Sequence, residues 1–344
     1  MENKAAWIPA PKTDISVGDA DTPAPGPGEL LVKVKSIAFS PIEAKIQKFG
    51  THPIPYPNIL GTSFAGTVEA VGPDVTGFAK GDNITTIRAG KTLSDPRFGA
   101  YQKYALASAA STSKLPSSVS LHAASAIILN LSCIVSALSI HFGLDRPPLT
   151  GTPTPKNKKI LIYGGSSSTG GLAVKYAASA GYTVITTSSP KNREFVRALG
   201  AKYVIDHTLP PSSIVSELHA QGPYNKIFDT IGLPPVTSIM IDYLDSLGGG
   251  SYNTLIPAVA GTRPIPESVK RIFAPYNFAF DEEAHKPLAR WMYEEYVPRG
   301  LKTGLIVPTR QEVVMGGLEK IQAILDLLMK GGVSGRKLVM DPWE

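Results

Sequence analysis

Apolar residues run from Ile160 to Tyr163, give way to a loop of small residues, Gly164-Gly165-Ser166-Ser167-Ser168-Thr169-Gly170, and resume at helical spacing as far as Gly181. A second β-rich run, Tyr182-Thr183-Val184-Ile185-Thr186, follows. This order predicts one strand, helix, strand unit whose first turn can hold a diphosphate. Such a turn needs backbone N–H groups at the start of a helix and no intruding Cβ atoms, and Gly164, Gly165 and Gly170 meet that need. The spacing G-x-G-x-x-G is broken at its middle position by Ser167. Serine stays small, and Ser166, Ser167, Ser168 and Thr169 add hydroxyls for phosphate oxygens. An ordinary Gly/Ser turn is the other reading.

After the second strand the chain reads Thr187-Ser188-Ser189-Pro190-Lys191-Asn192-Arg193, and the first acid is Glu194, inside the next helical pattern. An NAD-preferring site would carry Asp or Glu here for the ribose 2′-hydroxyl. Hydroxyls at Ser188 and Ser189, the Asn192 amide and the cations Lys191 or Arg193 suit a 2′-phosphate instead, which points to NADPH. A solvated polar turn would look the same.

Upstream, short alternating strands punctuated by glycine predict a compact, strongly bent β-barrel-like module. They include Leu30–Phe39, the turn Ser40-Pro41-Ile42-Glu43 with the residues to Ile46, and Pro57–Gly72. The apolar segment from Ala123 to Leu138 predicts a helix. Within it Cys133 reads as a small inert core residue, whereas Asn130 is either a pocket donor or a core amide satisfied by a partner. Leu199–His207, Ile227–Gly232 and Leu247–Tyr252 read as further strands. The aromatic-rich region Arg271–Phe280 lines a cleft or belongs to core, and Gly316–Leu328 is an amphipathic helix packing on the first domain.

The length of 344 residues allows one large or two ordinary domains, and 43% hydrophobic residues supply buried cores. The net charge of +6 comes from 34 basic and 28 acidic residues that are scattered apart from Lys156-Asn157-Lys158-Lys159. That distribution argues against nucleic-acid binding, which needs a basic stripe and a recognition module. A single cysteine, Cys133, excludes an internal disulfide framework and a multi-cysteine zinc site and fits a reducing compartment. The first residues lack the segments of a secretion signal, and no stretch was expected to span a membrane, so a soluble cytoplasmic protein is expected.

The G-E-L-L-V-K-V strand, the S-P-I-E turn, Pro57-Asn58-Ile59-Leu60-Gly61, Gly81-Asp82 and Gly99-Ala100-Tyr101-Gln102-Lys103-Tyr104 stand ahead of the Gly/Ser unit. Their order resembles the medium-chain dehydrogenase/reductase superfamily from about Trp7 to Val339. Tyr163–Gly170 and Ser188–Asn192 resemble its zinc-free, quinone oxidoreductase-like branch and fungal trans-acting enoyl reductases. The resemblance implies an α/β fold: a GroES-like β-barrel catalytic domain (1–130 and 272–344) and a Rossmann doubly wound parallel sheet (131–271). It implies no metal, because Ser40, Thr62 and Ser63 stand where zinc-dependent members place ligands. It carries the Ser40-Pro41 turn to the cofactor and active-site rim, with Ser40 matching an Asn of quinone reductases. His52, before Pro53, corresponds to a catalytic Tyr of some enoyl reductases. Cys133 takes the place of a Thr beside the nicotinamide, and His207 that of a Tyr near the 2′-phosphate, or else is a surface histidine. Ile231, Ser251 and Tyr252 are expected at strand ends that form the cofactor wall. The implied activity is NADPH-dependent reduction of a conjugated C=C bond or quinone, as part of fungal secondary metabolism and with a polyketide synthase as a potential partner, by a monomer or homodimer. A zinc-free carbonyl reductase and a non-catalytic NADPH-binding accessory protein are the alternatives.

Overall fold

The computed structural model describes residues 2–88 and 90–344. It divides into two compact units, one of residues 1–130, 280–304 and 308–344, the other of residues 131–279 and 305–307.

The first unit contains β1 (Asn3–Ile8), β2 (Ser16–Ala20), β3 (Glu29–Ala38), β4 (Asn58–Ile59), β5 (Ser63–Val71), β6 (Asn83–Ile87), β7 (Tyr104–Ser108) and β8 (Thr112–Lys114). β1 pairs antiparallel with β2 and β4, and β3 pairs antiparallel with both β5 and β7. The long strand β3 is central because its Val32, Val34 and Ile37 are fully buried while Lys33 and Lys35 between them remain partly exposed. The β3–β5 register shifts twice, between Leu31 and Val32 and between Val34 and Ser36, which bends the sheet toward a barrel. At this crossing a Cβ on Gly66 would stand 2.1 Å from the Lys33 carbonyl oxygen, so only glycine lets the strands approach. The interior joins Ile8, Leu30, Phe39, Phe64 and Tyr101 to Leu338 and Met340 from the end of the chain. The expected C-terminal helix starts later than Gly316, after a tight turn over Gly317–Lys320, and runs over Ile321–Met329, where Gln322 Oε1 accepts from Gln47 Nε2 at 2.6 Å.

The second unit holds a six-stranded, wholly parallel sheet of β9 (Lys159–Tyr163), β10 (Thr183–Ser188), β11 (Ala201–Asp206), β12 (Lys226–Asp229), β13 (Gly250–Thr254) and β14 (Val269–Phe273). The lateral order is β11-β10-β9-β12-β13-β14. This is the doubly wound Rossmann order, in which the strand order reverses beside the first strand and opens a crevice at the carboxyl edge. Short strands β15 (Gln311–Val313) and β16 (Lys337–Met340) return to the first unit, where β16 pairs with β3.

Three expectations change. The segment after Ser40 is not a turn: it forms helix α1 (Pro41–Phe49), with Ser40 as its N-cap, Pro41 at the first helical position and Glu43 completing a capping box. The fifth strand begins at Gly250, because Gly248, Gly249 and Gly250 all take positive φ and extend the turn. The segment Leu121–His141 has the length and apolarity of a membrane span, contrary to expectation, but 72% of its apolar window is buried, as in a core helix. It begins as helix α2 (Leu121–Val135).

Candidate functional site

At the carboxyl edge of β9 the chain turns through Gly164 at φ +89° into helix α3 (Ser168–Ser179). The Gly164 N–H donates to Thr187 Oγ1 at 2.9 Å and the Gly165 N–H to the Thr187 carbonyl at 3.0 Å, which ties the loop to β10. Ser167 caps α3 by accepting the Gly170 N–H at 2.9 Å. A Cβ on Gly170 would lie 2.1 Å from the Gly164 carbonyl oxygen. The serine that breaks the glycine spacing therefore has a structural task, and the glycines that remain stand where backbone meets backbone. The hydroxyls of Ser166, Ser168 and Thr169 have no partner among the described residues and are only partly buried. Together they form a cradle of N–H and O–H donors at a helix N-terminus, which fits a diphosphate.

The ends of β10 and β11 form an arm beside the cradle. Asn192 is buried and its amide donates to Ser189 Oγ at 3.3 Å, while the His207 N–H donates to the Ser188 carbonyl at 3.3 Å. Lys191 is exposed, as is His207. The Arg193 Nε is buried with no hydrogen-bond partner, an orphaned donor beside two further cationic or polar groups. An anion at this arm would satisfy it. Ser188, Ser189, Lys191, Asn192 and His207 thus lie at one strand edge, together with the acid Asp206 that ends β11.

Ile231 lies just past β12, where the Ile231 and Gly232 N–H groups each donate to Asp229 Oδ1 at 2.9 Å. Asp229 was missed by the sequence reading. Burial raises its carboxyl to about 6 against the pull of those two N–H groups and of Arg271, and its Oδ2 has no partner. Ser251 and Tyr252 do not stand at the carboxyl edge. They occupy the beginning of β13, where the pairing of Asp229 with Thr254 shows that Thr254 is the edge residue. Ser251 instead lines a cavity of about 440 Å³ at the other end of the strands, with Lys226 and Gly250. The correction follows from the longer glycine turn.

In the first unit Ser40 is 4% exposed and belongs to a buried polar cluster. The Lys337 ammonium donates to Ser40 Oγ at 2.6 Å. The Ser40 N–H donates to Glu43 Oε2 at 2.8 Å, and the Thr62 N–H to Glu43 Oε1 at 3.2 Å, with the Thr62 hydroxyl donating to the same oxygen. Burial raises the Glu43 carboxyl, and the Thr62 hydroxyl and Lys337 charge oppose that shift. Pro41 is exposed at the start of α1, and Lys45 further along it is lowered by desolvation. Glu43, Thr62 and Lys337 were not foreseen as a cluster, although the S-x-x-E spacing from Ser40 to Glu43 announces the first contact. His52 pairs with neighbouring Thr51 at 3.2 Å, away from this cluster's recorded hydrogen bonds, and burial lowers its pKa. The Asn130 side chain is half-buried, and no hydrogen bond to it is found among the described residues. Cys133, also half-buried on α2, lies close enough to Tyr276 to bear on its hydroxyl.

A zinc ion does not fit the Ser40 cluster. Hydroxyls at Ser40, Thr62 and Ser63 are poor ligands, and an ammonium already holds Ser40 Oγ. Among the described residues no group of three or more His, Cys, Asp or Glu is placed to hold a metal.

Two family profiles match the chain: "Alcohol dehydrogenase GroES-like domain" over residues 26–117 and "Zinc-binding dehydrogenase" over residues 169–251. The dehydrogenase orsE of Emericella nidulans is 31% identical over 98% of this chain and 99% of its own. The chain belongs to the medium-chain dehydrogenase/reductase superfamily. Within this superfamily, the trans-enoyl reductase himH of Aspergillus japonicus is 30% identical over 98% of this chain and 97% of its own. A mycobacterial protein solved with NADPH shares the fold, with a TM-score of 0.76 at 21% identity over 99% of this chain and 100% of its own. As a medium-chain oxidoreductase, the chain carries its nucleotide cradle in the Rossmann unit and the Ser40 cluster in the GroES-like unit.

Proposed function

We propose that this medium-chain reductase uses NADPH to reduce an activated C=C bond, in an enone, an enoyl thioester or a quinone, without zinc. Bound NADPH supplies a hydride from C4 of its nicotinamide. The chain's part is to hold the diphosphate on the Gly164–Gly170 cradle, to meet the 2′-phosphate with Ser189, Lys191 and Arg193, and to stabilise the negative oxygen that develops as the β-carbon gains hydride. In this reading Ser40 donates to that oxygen, and the α-carbon takes its proton from water or a side chain. A preorganised donor of this kind contributes on the order of 3 kcal/mol.

The observation that carries the cofactor is the orphaned Arg193 Nε, in a stretch after β10 that holds no acid before Glu194. The trans-enoyl reductase name of a relative that aligns along almost the whole chain supports the C=C substrate. The proposal extends to fungal secondary metabolism and to an enoyl thioester presented by a polyketide synthase. The test is NADPH oxidation with a panel of enones, quinones and aldehydes, with the products analysed. Saturated ketone or hydroquinone supports the reading. Alcohol from aldehyde alone would replace it with carbonyl reduction, and tight NADPH binding without turnover would replace it with an accessory role.

A further inference from the structure

The Ser40 hydroxyl has one oxygen and one proton to place, and Lys337 decides how. An ammonium has donors and no acceptor, so in the 2.6 Å contact Ser40 Oγ must be the acceptor. The Ser40 proton must then find an acceptor of its own, and no described residue is recorded as taking it. The backbone on either side is fixed as well. The Ser40 N–H is held by Glu43 Oε2, and Glu43 is held by Thr62 through its N–H and hydroxyl. Lys337 is 5% exposed and Glu43 fully buried, so the two charges compensate each other away from water. A second hydroxyl nearby is also unused: Tyr101 OH is buried with no partner, and the charge of Glu43 bears on it. Lys337 comes from β16, nearly three hundred positions along the chain from Ser40, and closure of the barrel brings the two together.

We infer that Lys337 is a positioning residue that turns the Ser40 hydroxyl into a directed donor for an oxyanion. The Ser40–Lys337 pair performs in this chain the charge stabilisation that a metal would supply at a ligating site. Lys337 does not touch the substrate. It occupies one of the two Ser40 lone pairs, strengthens the O–H as a donor and places a compensated positive charge behind it. That the oxyanion is an enolate rests on the function proposed above, while the existence of the oxyanion site does not.

The test uses a phenolate as a stable stand-in for an enolate: 4-nitrophenol titrated into the NADP⁺-loaded full-length protein and followed by the phenolate absorbance. Wild type should bind it as the anion. Lys337→Met and Ser40→Ala should each weaken binding roughly ten- to a hundredfold, the double variant should be no weaker than either single one, and Lys337→Arg should recover most of the loss. NADP⁺ is kept saturating for each variant, so that phenolate binding alone is read. Because Lys337→Met strands the Glu43 charge, the charge-neutral pair Lys337→Met/Glu43→Gln is measured beside it and should show the same loss. Absence of phenolate binding by wild type, undiminished binding by either Lys337→Met protein, or losses that simply add in the double variant would overturn the inference. Phenolate binding that follows this pattern in a protein inert toward every enone would retain the oxyanion site and remove the C=C reading.

Discussion

Gly165 and Thr186 stand so close that a Cβ on the glycine would lie 2.2 Å from the threonine Oγ1, which itself donates to the Ile162 carbonyl at 2.6 Å. The nucleotide loop is thus seated directly on β10, with no room for a methyl group between them. Gly165→Ala should cost about 1–3 kcal/mol of stability through overpacking and weaken NADPH binding by displacing the cradle. Adding Thr186→Ala should recover part of both. Chemical denaturation and NADPH fluorescence titration of the three proteins check this, and a Gly165→Ala protein with wild-type values in both would contradict it.

The arm after β10 should set the choice between cofactors. Lys191→Ala and Arg193→Gln should each weaken NADPH binding by about tenfold, as expected for loss of one charge-assisted contact, and leave NADH binding unchanged. Parallel titrations with the two nucleotides read this out. An equal loss for both would mean that these residues do not meet the 2′-phosphate.

Asp229 should give stability a pH dependence of defined sign. Its carboxyl lies at about 6 in the folded chain against an ordinary 3.8, so the folded state holds its proton more tightly than the unfolded chain does. Stability from this group is therefore present below about pH 4 and lost as pH rises to about 6, a change of at most about 3 kcal/mol. Asp229→Asn keeps an acceptor for the Ile231 and Gly232 N–H groups and removes the charge. The stability difference between wild type and this variant, measured by urea denaturation across that range, should shift in the variant's favour as pH rises and level off above it.

Glu43 holds the start of α1, Thr62 and the Lys337 charge at once. Glu43→Ala should cost about 3–5 kcal/mol, the range for leaving a buried partner charge uncompensated, whereas Glu43→Gln combined with Lys337→Met should recover much of that. Thermal and urea unfolding compare the two. If Glu43→Ala proved as stable as wild type, the compensated pair would not exist.

Local signals in the sequence were enough to place the nucleotide unit. Apolar runs, a small-residue loop and helical spacing coincide with β9, α3 and β10, and the lack of an acid before Glu194 is itself a local feature. The Ser40 cluster was less legible, because its members come from α1, from the entry to β5 and from β16, and only barrel closure unites them. The one local clue, Ser40 with Glu43 three residues later, is a helix-start signal that reads as a turn when Pro41 is taken as a breaker. The placement of Ser251 and Tyr252 failed for a different reason. Three consecutive glycines look alike whether they end a strand or delay it, and positive φ at all three delayed β13.

The central claim is hydride delivery from NADPH to the β-carbon of a conjugated acceptor. Its most direct test is turnover of an enone with NADPH deuterated at C4 of the nicotinamide, in the presence of a metal chelator, with the product read by NMR. The account predicts saturated ketone carrying deuterium at the β-carbon, formed at a rate the chelator does not change. Deuterium at the carbinol carbon of an allylic alcohol, or turnover abolished by the chelator and restored by zinc, would contradict it.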